Sequence, residues 1–204
     1  MIEKKMLRLT VRPETLFFSN KWVLYAHLHC GSTTYFNSYI KVSEIKTIAD
    51  FWQTINNLPT AYDLYYNSIF MDGKRVVAYS LFKDDILPEW EDPVNTKGCE
   101  WGCRDNISEK VFSSMWSSLI LAAVNDELDD VVGIRCINKT NKIRSLFKIE
   151  VWMSCNDYED ALKVKENMKI MIKTCETFTL MYHEDKQTQA IEYTRKKNKK
   201  SQRF

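Results

Sequence analysis

Residue types suited to binding a flat ring lie close together between Tyr79 and Trp101. This segment contains Trp90 followed directly by Glu91, and it ends on a second tryptophan. The whole chain of 204 residues is 13% aromatic, with six Trp, ten Tyr and ten Phe. A single core of this size does not need so many tryptophans, so we expect some of them to face a flat ligand or a partner.

Charge is unevenly distributed along the chain. Lys and Arg number 29 against 27 Asp and Glu, a net charge of +2 that excludes a uniformly basic protein. Six of the basic residues lie in 195–204, where no residue is acidic, which leaves 23 basic against 27 acidic groups elsewhere. We therefore predict an N-terminal arm at 1–19, one slightly acidic binding domain at 20–184 and a basic tail at 185–204.

Cysteine usage and hydropathy are typical of an intracellular protein with reduced thiols. The six Cys are scattered, and Lys4, Lys5 and Arg8 interrupt any secretory apolar segment near Met1. No apolar run reaches the ~18 residues of a membrane span. We expect no membrane association and a cytoplasmic location, with a nuclear one left open.

Several His and Cys residues permit a zinc site, although ordinary thiols explain the cysteines better. Alternation along a strand places two of the histidines on one face. The cysteine spacing lacks the close pairs of a zinc knuckle, so we predict no bound metal and no cofactor. The group consists of His27, His29, Cys30, Cys99 and Cys103.

The hydrophobic periodicity predicts an α+β fold. Helices are expected after the capping residues Thr47, Ser108 and Asp157, and Asp72-Gly73 is typical of a hairpin turn. Because hairpins dominate, we predict a curved, mostly antiparallel sheet with about three helices on its convex face. The predicted strands are Lys21–His29, Tyr39–Val42, Leu64–Phe70, Val76–Phe82, Val131–Ile137, Leu146–Met153 and Phe178–His183.

The tryptophans are embedded in short motifs that follow one another in order. Together they resemble the eukaryotic translation initiation factor 4E family, whose members bind the 5′ cap of mRNA. The resemblance covers roughly Trp22 to Tyr182 and implies a cap pocket on the concave side of the sheet. The motifs are Asn20-Lys21-Trp22, Ile48-Ala-Asp-Phe51-Trp52, Tyr79-x-Leu-Phe-Lys-Asp84, Pro88-x-Trp-Glu-Asp92, Trp101, Trp116, Asp129-Asp130-Val131-x-Gly133 and Lys148-Ile-x-Val-Trp152.

The resemblance implies a pocket for a methylated, cationic guanine. Trp90 would cover one face of the base, Glu91 would accept the N–H donors of its edge, and Trp152 would lie beside the N7-methyl group. Electron-rich rings attract a flat cation, and a carboxylate accepts two adjacent donors. Taken alone, Trp90 could instead fold back onto the sheet, and Glu91 could be a solvated loop residue.

The second face of the base is where the chain departs from the family. The family usually has a tryptophan at the position of Tyr35, and a smaller ring predicts weaker stacking. Phe36 or Tyr39 could take the role if the loop is shifted, and Tyr35 could also be an ordinary surface residue.

The resemblance implies phosphate-binding cations in the hairpin that precedes Trp152. The basic residues of this hairpin could equally form an exposed charged loop. The family also has a basic residue just before the second tryptophan of the cap loop, where this chain has Glu100. The predicted phosphate ligands are Lys139, Arg144 and Lys148, with Lys142 as a further candidate.

The resemblance also implies a partner surface on the helical side. There, Trp52 and Ile48 would receive an amphipathic helix from a 4G-like scaffold or from a 4E-binding regulatory protein. Phe17 stands in the segment that replaces the family's usual His-Pro-Leu, and Ser117 stands where the family often has Leu. Trp52 could otherwise be buried in the core.

These expectations together predict a translation initiation factor that binds capped mRNA and recruits a scaffold. The alternative is a divergent cap-binding competitor or repressor that does not recruit the standard scaffold. An enzyme is not expected, because the paired acids match no hydrolase pattern and the chain has three His. The insertion between Trp52 and Tyr79 has no assigned role.

Overall fold

The computed structural model describes residues 16–29, 39–66, 68–105, 107–140, 146–172 and 177–185. Eight strands and four helices follow one another in these ranges, and residues 183–185 add a helical turn. The helices are α1 Ile48–Asn57, α2 Ala61–Tyr65, α3 Glu109–Val124 and α4 Tyr158–Met171. The strands are β1 Phe17–Leu28, β2 Tyr39–Thr47, β3 Phe70–Met71, β4 Lys74–Lys83, β5 Cys99–Asp105, β6 Val131–Asn138, β7 Phe147–Met153 and β8 Thr179–Tyr182.

All the strands join one curved sheet. Its order is β2-β1-β4-β6-β7-β5-β8, with β3 paired to β4 at one side, and the paired strands are antiparallel. Helices connect hairpins rather than parallel strands, as expected for an α+β fold. The predicted fold class is therefore confirmed.

The main core lies between the sheet and the helices. Strand residues such as Trp22, Leu24 and Ile149 pack there against the apolar side of α3, which includes Phe112 and Leu119. Since side chains alternate across a strand, the residues between them point to the opposite, concave face. That second face carries the candidate site.

The predicted helix starts are confirmed by their caps. The side chains of Thr47, Ser108 and Asp157 each accept a hydrogen bond from a backbone N–H in the first turn. These bonds satisfy donors that a helix start leaves unpaired. Among the described residues, no helix has both the length and the apolar character needed to span a bilayer.

The predicted strand at Leu64–Phe70 is wrong over its first part. Thr60 and Asp63 form a reciprocal capping box, so the chain begins α2 at Ala61, and Leu64 is buried on that helix. Extended structure is confined to the short β3. The turn that follows is confirmed, because Asp72 and Gly73 both have positive φ angles, as a two-residue hairpin requires.

Candidate functional site

Strand pairing aligns the concave-face residues in three rows across β1, β4, β6, β7 and β5. We call them the aromatic row, the charged row and the distal row. The aromatic row is Val23, Phe82, Gly133, Trp152 and Glu100; the charged row is Tyr25, Ser80, Arg135, Glu150 and Gly102; the distal row is His27, Ala78, Ile137, Lys148 and Arg104.

Trp152 is the centre of a small apolar cluster on this face. Its side chain is 0% exposed. The centres of the Trp152 and Phe82 rings lie 5.3 Å apart, in an edge-to-face contact with the planes 82° apart. Val23 and the half-buried Trp90 pack in the same cluster. Gly133 permits this packing, because a Cβ atom there would lie 2.3 Å from the Phe82 ring.

Trp90 is held in place by an internally bonded loop between β4 and β5. Asn95 donates hydrogen bonds of 2.8 Å to the carbonyls of Leu87 and Glu89, and Asp92 accepts from the backbone of Leu87. Glu91 follows Trp90 and is exposed to solvent. The loop thus brings Trp90 to the aromatic cluster and leaves the neighbouring carboxylate open to a ligand.

Tyr39 joins this loop to the edge of the sheet. Its hydroxyl donates to Glu89 Oε1 at 2.8 Å, and the centre of its ring lies 5.4 Å from the centre of the Tyr25 ring. Burial, followed by the bond to Glu89, raises the pKa of Tyr39. The predicted stacking residue Tyr35 and its alternative Phe36 lie outside the described residues.

A network of buried charges lies beside Trp152. Lys148 Nζ donates to Glu100 Oε1 at 2.8 Å and also to Glu150, while Arg135 Nη1 lies 3.3 Å from Glu150 Oε2. Trp152 Nε1 donates to the same Glu150 oxygen at 3.0 Å. The side chains of both acids are at most 5% exposed, and those of both cations at most 15%.

Lys148 therefore lies on the predicted face but is already engaged by two carboxylates. Burial disfavours its charged form, yet the charges of Glu150 and Glu100 outweigh burial and raise the pKa of Lys148. Glu100 stands where the resemblance implies a basic residue. In the structure its carboxylate pairs with Lys148, the lysine that was expected to bind phosphate. Its role toward phosphate stays a prediction.

Arg135 and His183 make further contacts with Trp152. The Arg135 guanidinium carbon lies 5.5 Å from the centre of the Trp152 ring, and the His183 ring lies 4.5 Å away. His183 Nδ1 donates to the Asn95 carbonyl at 2.7 Å, which links the loop between β4 and β5 to this cluster. Sequence reasoning missed Arg135, Glu150 and His183; their only sequence signal is polar residues at inward positions of otherwise apolar strands.

The described His and Cys residues of the group considered for zinc are not brought together, and Cys30 lies outside the described residues. His27 lies on the concave face, where its Nε2 is 2.7 Å from Ser80 Oγ, whereas Cys99 and Cys103 are in the core beneath the helices. Among the described residues no group of three potential ligands could hold a metal ion. Burial, followed by the charge of Arg135, lowers the pKa of His27 well below 6.5.

Of the remaining phosphate candidates, the structure describes Lys139, which lies near the far end of the rows. Lys139 follows β6, and its backbone N–H donates to the Leu146 carbonyl at 2.7 Å. Arg104 is exposed at the end of the distal row. Lys142 and Arg144 lie outside the described residues.

Of the predicted partner residues, Ile48, Trp52 and Ser117 lie on helices α1 and α3, on the opposite side of the sheet, and Phe17 lies at the start of β1. Trp52 is 49% exposed, so the alternative of a fully buried side chain is wrong. Phe17 is exposed beside the start of α1, Ile48 is half-buried, and Ser117 is exposed on α3. Leu121, one turn after Ser117, is also exposed and was not predicted.

Sequence comparison places these features in a family context. The model of the family described as "Eukaryotic initiation factor 4E" matches residues 17–202. The chain is 28% identical over 152 residues to eukaryotic translation initiation factor 4E-2 of Schizosaccharomyces pombe, covering 71% of this chain and 57% of that protein. It is 28% identical over 183 residues to the 4E factor of Dictyostelium discoideum, covering 85% and 68%.

Solved structures have the same fold at lower identity. C. elegans eIF4E-3, in complex with the 4E-binding protein Mextli and a cap analog, aligns with a TM-score of 0.70 at 20% identity over 85% of this chain and 95% of that one. Schistosome eIF4E, in complex with m7GpppG and 4E-BP, aligns at 0.69 and 20%, covering 84% and 91%. With the family model matching most of its length, the chain belongs to the eukaryotic initiation factor 4E family.

Proposed function

We propose that the protein binds the 7-methylguanosine 5′ cap of mRNA and recruits a 4G-like scaffold for translation initiation. The supporting observation is the loop that holds Trp90 against the Trp152 cluster with Glu91 open beside it. The family consists of cap-binding factors rather than enzymes, so no catalytic residue is assigned to this chain.

The base would be bound by its charge and its flat shape. Trp90 stacks on one face and Tyr35 on the other, each contact contributing about 0.5–2 kcal/mol toward a cationic ring. The Glu91 carboxylate accepts the two N–H donors on the base edge. The N7-methyl group would lie beside Trp152, whose side chain is fully buried in this structure, so Trp90 would have to move away from the cluster to admit the base.

The phosphates would be bound mainly at the far end of the rows. Lys139, Arg144 and Lys148 are the proposed contacts. Two carboxylates already engage Lys148, so a phosphate would have to compete with them for its ammonium group. The basic tail at 185–204 adds attraction to the RNA backbone that falls with salt.

The scaffold, or a regulatory protein that competes with it, would bind the helical side. An exposed tryptophan beside other apolar side chains is a typical anchor for an amphipathic helix. Phe17, Ile48, Trp52 and Ser117 are the proposed contacts. The related structures named above contain 4E-binding proteins, which favours this kind of partner. We further propose that residues 20–184 form the binding domain, between an N-terminal arm and a basic tail. The protein would act in the cytoplasm.

Tryptophan fluorescence tests cap binding directly. We expect 7-methyl-GTP to quench the fluorescence at much lower concentration than GTP, because only the methylated base is a cation. Trp90→Ala should abolish most of the quenching and weaken binding at least tenfold. Trp52→Ala, which removes an exposed tryptophan on the opposite side, is the matched control and should bind normally. An equal response of the native protein to both nucleotides would exclude cap binding.

A further inference from the structure

We propose that Arg135 sets how strongly the concave site distinguishes a methylated, cationic guanine from the unmethylated, neutral base. This inference rests on the proposed cap-binding function. We call Trp152 and the charged network of Arg135, Lys148, Glu100 and Glu150 the floor of the site. Arg135 belongs to this floor and would act on the ligand through Trp152.

The geometry couples Arg135 to the ring assigned to the methyl group. Its guanidinium carbon lies 5.5 Å from the ring centre of Trp152, within the range of a cation–π contact. The Arg135 side chain is 13% exposed and that of Trp152 is fully buried, so water screens this contact weakly. Trp152 is thus already paired with a cation from its own chain.

A resident cation reduces what the ring can offer a second cation. The electron-rich ring attracts positive charge, but two positive charges on one ring repel each other. Methylated and unmethylated guanine nucleotides share the same sugar and phosphates and differ in the N7-methyl group and the positive charge that it brings. Since the methyl group is the same in every titration, a change in the ratio of their dissociation constants between native protein and variant reports a change in the charge beneath the base.

The floor holds a balanced set of charges that substitution can unbalance in either direction. Arg135 and Lys148 face Glu100 and Glu150 in one connected network. Removing the charge of Arg135 leaves one excess negative charge near Trp152. Removing the charge of Glu150 leaves one excess positive charge at the same place. The two changes should move the selectivity in opposite directions.

The network also indicates that Arg135 can be replaced without leaving the buried carboxylate of Glu150 unpaired. Glu150 keeps two other donors, Lys148 Nζ and Trp152 Nε1, so its carboxylate is not left unpaired. Arg135→Met preserves the apolar stem, and Arg135→Gln also preserves a donor toward Glu150. Arg135→Lys retains the charge and serves as the matched control.

The test is titration of the native protein and these variants with 7-methyl-GTP and GTP at mildly acidic pH, where the methylated base is a full cation. We expect the two neutral variants to increase the ratio of the GTP to the 7-methyl-GTP dissociation constant by roughly fivefold. Arg135→Lys should stay within twofold of the native ratio, and Glu150→Gln should lower it. Thermal unfolding checks that each protein is folded, and Arg135→Gln decides the question if Arg135→Met does not fold.

The outcomes separate this inference from the proposed function. If the native protein prefers 7-methyl-GTP but neither neutral variant changes the ratio, Arg135 is merely structural and the inference is wrong. An equal loss of affinity for both nucleotides leads to the same conclusion. If the native protein shows no preference for the methylated nucleotide, the proposed function itself fails.

Discussion

The neighbours of Lys148 determine what that side chain can contribute. A lysine on a strand facing a phosphate-binding groove would ordinarily present a hydrated, mobile charge. Here Glu100 and Glu150 hold its ammonium group, and all three side chains are largely buried. A phosphate would have to compete with two fixed carboxylates for the same donor, so Lys148 contributes less than an unpaired lysine would.

Glu100→Gln should increase the contribution of the phosphates to binding. The amide has the shape of the carboxylate but no charge, so Lys148 retains one carboxylate and can turn toward a ligand. We expect the gain in affinity from 7-methylguanosine to 7-methyl-GTP to rise by about threefold to tenfold, measured by fluorescence titration.

The matched control for Glu100→Gln is Glu127→Gln, which removes an exposed acid in the turn after α3. It should leave the gain unchanged. An unaltered gain in Glu100→Gln itself would mean that Glu100 does not restrain Lys148.

Two glycines on β6 and β5, the strands on either side of β7, show how the strands shape the concave face. Gly133 of β6 lies beneath the Phe82 ring, and Gly102 of β5 lies beneath the flexible end of Lys148. The first contact is with a rigid ring and the second with a chain of rotatable bonds. Loss of the first glycine should therefore be much more costly than loss of the second.

Gly133→Ala should destabilise the fold, because its Cβ would lie 2.3 Å from a ring that cannot bend. Overpacking of this kind costs about 1–3 kcal/mol of unfolding free energy. Gly102→Ala is the matched control, since its nearest neighbour is Lys148 Cε at 3.3 Å, and it should cost less than about 1 kcal/mol. Urea unfolding of both variants measures the difference, and equal costs would contradict this explanation.

The elements were predictable where the local pattern and the tertiary structure agree. Alternation located β1, and the caps at Thr47, Ser108 and Asp157 located three helices. The segment after Pro59 was misassigned because its aromatic residues favour a strand, whereas the capping box of Thr60 and Asp63 begins a helix. Secondary-structure propensity alone does not decide between the aromatic residues, which favour a strand, and the capping box, which favours a helix.

The site was predictable only where it lies on one continuous segment. The motif around Trp90 and Glu91 is local, so its resemblance to the family is visible in the sequence, and its role in binding stays a prediction. The charged network depends on which residue of β6 lies opposite which residue of β7 and β5, and Arg135 meets Glu150 only through that register. Which residues of these distant strands lie opposite each other was not predicted from the sequence, so the network was missed.

At the scale of the whole molecule, the two proposed binding surfaces are separated by the sheet. Trp52→Ala should weaken binding of an amphipathic helical peptide by at least about 2 kcal/mol, because the side chain is an exposed aromatic anchor. Cap binding should be unaffected.

Isothermal titration with the peptide and fluorescence titration with 7-methyl-GTP measure the two affinities on the same sample. Tyr158→Ala, which removes another exposed aromatic residue on α4, is the control and should retain peptide binding. Full peptide affinity in Trp52→Ala would place the partner surface elsewhere.

Stability should fall in mild acid because of one buried histidine. His27 has its pKa lowered well below 6.5, so the unfolded chain takes up a proton that the folded chain does not. The free energy of unfolding should therefore fall as the pH drops below 6.5, by up to about 1.4 kcal/mol per pH unit. The charges near His27 that also affect this balance are Arg135, Glu150 and Lys139.

Denaturant unfolding between pH 5 and pH 8 measures the effect. His27→Gln can still bond to Ser80 and should remove most of this contribution to the pH dependence. His29→Gln, at an exposed position just after β1, is the control and should retain it. An identical pH dependence in His27→Gln would exclude His27 as the source.

The three rows of the concave face also determine when the protein can function during its synthesis. Their residues come from five strands that span the chain from Val23 to Trp152. A growing polypeptide that ends before β7 already contains Trp90 and Glu91 but lacks Trp152, against which Trp90 packs in the finished fold. Because contacts between distant parts of a chain form slowly, cap binding should begin only after most of the chain has left the ribosome. Incomplete products of translation would then not compete with finished molecules for capped mRNA.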